Sequence, residues 1–134
     1  MLELLPLARS VLFAVLFAGI EYRYINRKEV GWKDGLDQEG ERPAFWVISP
    51  YQLYLLFPIF IVVGFSASVS AWVANTFAIA LLEDVAYFVW RRAWVKRGEW
   101  TTLMFGSFEV AGKAVPAWWP LALTISLACY LMPL

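Results

Sequence analysis

The stretch that most restricts what this chain can become runs from Ala71 to Arg97, AWVANTFAIALLEDVAYFVWRRAWVKR. From Ala71 to Trp90 it is apolar except for Asn75, Thr76 and the neighbouring carboxylates Glu83 and Asp84. A helix of about 20 residues rises roughly 30 Å, the thickness of a bilayer's hydrocarbon core. Trp72 and Trp90 stand where interfacial aromatics belong, and Arg91, Arg92, Lys96 and Arg97 follow. Acids inside such a helix are costly and seldom face lipid, so Glu83 and Asp84 mark the place to look for function.

Composition supports a membrane setting. Hydrophobic residues make up 61% and charged residues 16% of the 134, whereas a soluble domain carries about a quarter charged. The length fits one domain. Net charge is zero, which speaks against a nucleic-acid partner. With no His and a single Cys, Cys129, the chain supplies no His-ligated haem, no zinc site and no dithiol pair. No cofactor is indicated beyond bound lipid. A metal, of unknown identity, would need oxygen ligands, and Mg, Ca or Mn would suit it best.

Three further apolar stretches give an all-α integral membrane protein of four transmembrane helices, at about 4–24, 50–65, 69–92 and 116–132. Ser10, Ala14 and Ala18 recur every fourth residue in the first, a seam of small side chains that lets another helix come close. Glu21 sits at the base of that seam. Glu3 occupies the start and no small-x-small cleavage site follows, so the segment reads as a retained helix. Arg9 lies well inside the apolar run and is expected to snorkel outwards or to pair with a polar group. Ser49-Pro50 gives a helix start, and Pro58 should kink the second helix. Gly64 to Ser68 forms a tight hairpin. Residues 101–115 fit an interfacial helix or an irregular loop, with Glu109 and Lys113 at i,i+4 spacing. Ten basic residues fall on one side of this topology and Arg9 alone on the other. The loops 26–44 and 93–113 are therefore expected in the cytoplasm, and both termini outside a cytoplasmic membrane. The acid-rich DGLDQEG in the first loop lacks EF-hand spacing and reads as a solvated loop.

Two carboxyls within about 3 to 5 Å of the midplane, by helical rise, should share one negative charge or a cation. The set available for ion binding or pairing is Glu83, Asp84, Glu21, Asn75, Thr76, Tyr87 and Arg91. Glu83 and Asp84 are also the catalytic candidates. Ser70, Ala74 and Ala78 form a second small seam roughly opposite Glu83. If it met the Ser10, Ala14, Ala18 seam, Glu83 would be turned away from the first helix and need cover from another chain.

Glu83-Asp84-Val85-Ala86-Tyr87-Phe88 resembles the acidic-acidic-x-x-aromatic-Phe motif of small membrane lycopene cyclases. It covers six residues, with Leu82 where that motif usually has Pro. The resemblance implies an intramembrane carboxyl acting as an acid on an isoprenoid. The residues themselves favour a non-catalytic small subunit packed among other membrane protein subunits. The alternatives are an oligomeric proton- or cation-coupled transporter or channel, and a cyclase-like enzyme on a lipid or isoprenoid with Glu83 as acid. A concave, membrane-facing pocket lined by Glu83 would distinguish the last.

Overall fold

The computed structural model describes residues 4–25 and 52–132. It is mostly helical. Helix α1 (Leu4–Ile20) continues through a π-helical turn over Glu21–Ile25. A second π-helical turn, Gln52–Leu56, leads into α2 (Phe57–Val63). The long α3 (Val69–Arg91) follows, then the single turn α4 (Trp100–Leu103), a two-stranded hairpin β1 (Ser107–Val110) and β2 (Lys113–Pro116), and α5 (Trp118–Leu131). Two helices are long and apolar enough to cross a membrane, Leu4–Tyr24 and Val69–Arg91. Gln52–Val63 and Trp118–Leu131 are shorter apolar helices. The polar loop 26–44 and the Ser49-Pro50 helix start lie outside the described residues.

Helix α3 packs against α1, α2 and α5 and so forms the centre of the molecule. Its start is set by Ser68, whose hydroxyl accepts from the Ala71 N–H at 3.4 Å. Its end is a Schellman arrangement: Arg92 turns into the left-handed region, its N–H reaches Val89 O, and Ala93 N–H reaches Phe88 O. Arg9 donates to Phe65 O at 2.5 Å at one end of the molecule, and Tyr22 meets Tyr87 edge-on at the other. Helices α1 and α3 therefore run parallel, while α2 and α5 return. One apolar cluster joins Ala14, Leu56, Phe60 and Ile79; a second joins Phe88, Val95, Trp118, Trp119 and Ala122.

Several expectations are corrected. The chain is not all-α, because 107–116 forms a hairpin in place of an interfacial helix or irregular loop. Phe108 and Val110 flank Glu109 on β1, Val115 pairs with Phe108, and Ala111 and Gly112 both take positive φ, the geometry of a two-residue type I′ turn. In that register Glu109 faces Ala114 and Val110 faces Lys113, so Glu109 and Lys113 fall on opposite faces and make no helical pair. Pro58 sits in the first turn of α2, and the irregularity is the π-helical turn before it. The two small seams do not meet. Ser10, Ala14 and Ala18 are fully buried in α1, but Ser70 donates to Cys129 O and Ala74 O accepts from Ser126, so the α3 seam faces α5.

Candidate functional site

Glu83 and Asp84 are adjacent on α3 and so point about 100° apart around the helix. That angle sends them to different neighbours. Asp84, 4% exposed, turns towards α5 and the turn at α4. Its Oδ2 accepts from Thr101 Oγ1 at 2.6 Å and from Trp119 Nε1 at 2.6 Å. Thr101 Oγ1 in turn accepts from Trp118 Nε1 at 2.8 Å. The one-turn helix α4 and the hairpin bring Thr101 into this position, and both indole N–H groups come from the first turn of α5.

Glu83, 3% exposed, turns towards α1 instead. Its carboxyl meets that of Glu21, which is 8% exposed and stands at the π-helical turn that ends α1. Glu83 Oε1 is buried with no hydrogen-bond partner among the described residues. A buried polar atom left unpaired costs about 1–3 kcal/mol, and such atoms are rare without a reason.

Beside the two acids lies a cavity of about 310 Å³ enclosed by α2, α3, α5 and the Met104–Phe105 turn. Leu56, Phe57, Phe60, Ala80, Trp118 and Ala122 form its walls, with Glu83 and Asp84 as its acidic side chains. Ile61, Phe77, Phe105 and Leu121 also line it and are themselves exposed, so the cavity opens on the apolar flank of the bundle. Its lining is apolar apart from Thr76 and the two acids.

The remaining sequence-derived candidates are placed elsewhere. Asn75 donates to Gly64 O at 3.0 Å and accepts from the Tyr130 hydroxyl, more than two turns from Glu83. Thr76 lines the cavity, but its hydroxyl donates to Trp72 O within the helix. Both serve the close approach of α2 to α3, where a Cβ on Gly64 would come within 2.9 Å of Thr76 Oγ1. Tyr87 packs edge-on to Tyr22 and Phe88. Arg91 is not the partner of the intramembrane acids, because its guanidinium pairs with Glu99 and caps the turn after α3. Glu83 is buried within the chain, between α1 and α3. Among the described residues no group of three or more acidic or thiol side chains is arranged to hold a metal ion.

Thr101, Trp118 and Trp119 are the site residues the sequence did not single out. The two tryptophans read as an interfacial belt, and Thr101 fell in a stretch without clear periodicity. The available signal was the apolar setting: a Thr beside an intramembrane acid and two indoles must find partners, and they find each other. No protein-family profile, curated protein or solved structure matches this chain.

Proposed function

We propose that the chain is a four-crossing protein of the cytoplasmic membrane whose cavity takes a lipid-soluble molecule, with Glu83 as the acid that acts on it. The observation that carries this reading is Glu83, which lines an apolar cavity that opens on an apolar flank and has a buried oxygen with no hydrogen-bond partner among the described residues. Its chemistry follows from the contact with Glu21. Two carboxyls this close do not both ionise, so the pair holds a proton. Asp84, tied to Thr101 and Trp119, is positioned as the fixed acceptor beside it. A proton passed from Glu83 to a carbon–carbon double bond forms a new C–H bond and leaves a carbocation. The cation, directly or after closing onto a second double bond, loses a proton from a neighbouring carbon to Asp84 and so forms a new double bond, and that proton returns through water to Glu83. The step is a net isomerisation or cyclisation and consumes no oxidant. This is also the chemistry that the Glu83–Phe88 resemblance implies.

The four-crossing arrangement is supported by α2 and α5 lying beside α3 with exposed apolar side chains such as Val62, Leu121 and Leu123. Arg23, Arg91, Arg92, Lys96, Arg97 and Lys113 gather at the end where α3 finishes, and Arg9 at the other, which favours the first as the cytoplasmic end. The reading as a non-catalytic small subunit drew on the absence of His, a two-sided third helix and the lack of a soluble domain, and it stands as the alternative.

The test is incorporation of deuterium from solvent. Protein reconstituted in lipid nanodiscs and supplied with a linear carotenoid or a polyprenyl alcohol in D2O should yield an isomerised or cyclised product carrying deuterium at carbon. Glu83→Gln should yield none. If wild-type protein neither turns over nor retains any of these apolar molecules, the reading is wrong.

A further inference from the structure

Arg9 is the intramembrane charge left without a role, and it stands at the head of a second groove. Arg9, Leu12, Phe13, Leu16, Phe17 and Ile20 fall at i, i+3, i+4, i+7, i+8 and i+11, a single face of α1. With Val62 and Val63 of α2 this face encloses a groove of about 560 Å³. Among the described residues nothing covers it: Leu12 is 61% exposed, Leu16 55% and Val62 71%. It lies on a different face of α1 from the buried Ser10, Ala14, Ala18 seam and is separate from the carboxyl cavity.

We infer that this groove is a phospholipid site, with the lipid phosphate on the Arg9 guanidinium and one acyl chain laid along α1 towards Ile20. Charge is the first argument. Among the described residues Arg9 donates one hydrogen bond, to Phe65 O, and a carbonyl supplies no counter-charge. The guanidinium has five N–H donors in a fork that matches phosphate. A charge at this depth calls for an anion, and the membrane supplies one on every phospholipid. Length is the second argument. From Arg9 to Ile20 the helix rises about 17 Å, roughly half of a hydrocarbon core near 30 Å, which is the reach of one leaflet's acyl chain. Among the described residues Arg9 is the sole charged side chain lining the groove, and it lies at one end. That is the polarity of a single phospholipid.

The experiment is a titration read by native mass spectrometry. Delipidated protein in mild detergent is offered phosphatidylglycerol, phosphatidylcholine, diacylglycerol or inorganic phosphate. Both phospholipids should bind one per chain, and diacylglycerol or inorganic phosphate at least about tenfold more weakly, the loss expected for one charge-assisted hydrogen bond. Arg9→Gln should bring the phospholipids down to the diacylglycerol level, and Arg9→Lys should recover part of the difference. Leu16→Trp, on an exposed face where folding is spared, should block lipid altogether. Equal binding of diacylglycerol and phospholipid by wild-type protein would mean an apolar contact only. Inorganic phosphate binding as tightly as lipid would mean a free-anion site. A dimer that excludes lipid would assign the face to a second copy. Each of these outcomes overturns the inference.

Discussion

The two sides of α3 are held by different physics. Towards α5 the contact is tied by side-chain hydrogen bonds along its length: Ser70 to Cys129 O, Ser126 to Ala74 O, Tyr130 to Asn75, and Trp119 to Asp84. Towards α1 it rests on small side chains. Ser10, Ala14 and Ala18 are fully buried, Ser10 spends its hydroxyl on Pro6 O of its own helix, and Gly19 lets the Trp90 ring lie against the backbone, where its Nε1 donates to Val15 O. Both are known ways to hold helices together in lipid, where hydrophobicity itself gives little preference for association. The two carboxyls follow the side they face. Asp84 belongs to the bonded side and is saturated. Glu83 belongs to the packed side and has a buried oxygen with no hydrogen-bond partner among the described residues.

The largest effect should come from Asp84→Leu. It leaves Thr101 Oγ1 and Trp119 Nε1 without their buried acceptor, each at about 1–3 kcal/mol, so a loss of roughly 2–6 kcal/mol of unfolding free energy is expected. Unfolding in mixed micelles measures this, and a loss of less than about 1 kcal/mol would show that the bonded side does not depend on its hydrogen bonds. Ala14→Leu probes the other side. Added methylenes in a fully buried seam should cost about 1–3 kcal/mol by overpacking, with α1 the first element to become susceptible to protease. If α1 accommodates leucine without loss, close packing is not what holds it.

Much of this division was legible in the residues, and the part that was not has a physical cause. Apolar length and the positions of Trp72, Trp90 and the arginines locate α3, because lipid imposes a strict length on a crossing helix. The small-residue seams are legible too, but not which seam meets which. Helix pairing depends on where the connecting loops and the 107–116 hairpin send α5, and the Ala111-Gly112 turn lacks the Asn or Asp that announces a hairpin. For the same reason Glu83 and Asp84 look equivalent in the sequence. Their difference is created by Thr101 and Trp119, residues 17 and 35 positions away in the chain. The pairing of Arg91 with Glu99 was likewise hidden, since nothing local shows that the chain reverses after Arg92.

Glu83→Met should give the smallest change in stability, and it sharpens the comparison most. No donor in the described structure depends on Glu83 Oε1, so its removal strands nothing. Methionine has nearly the same length and replaces a buried carboxyl by apolar atoms against an apolar cavity, a change that is often neutral or stabilising. The hydrogen bond made by the proton shared with Glu21 is lost, at about 0.5–1.5 kcal/mol, which the new apolar packing offsets. The net effect should lie within about 1 kcal/mol of zero in the same micelle assay, while deuterium transfer to the isoprenoid disappears. A loss matching that of Asp84→Leu would make Glu83 a structural tie between α1 and α3. The packed side would then also be held by polar contact, and the free oxygen would no longer point to a ligand.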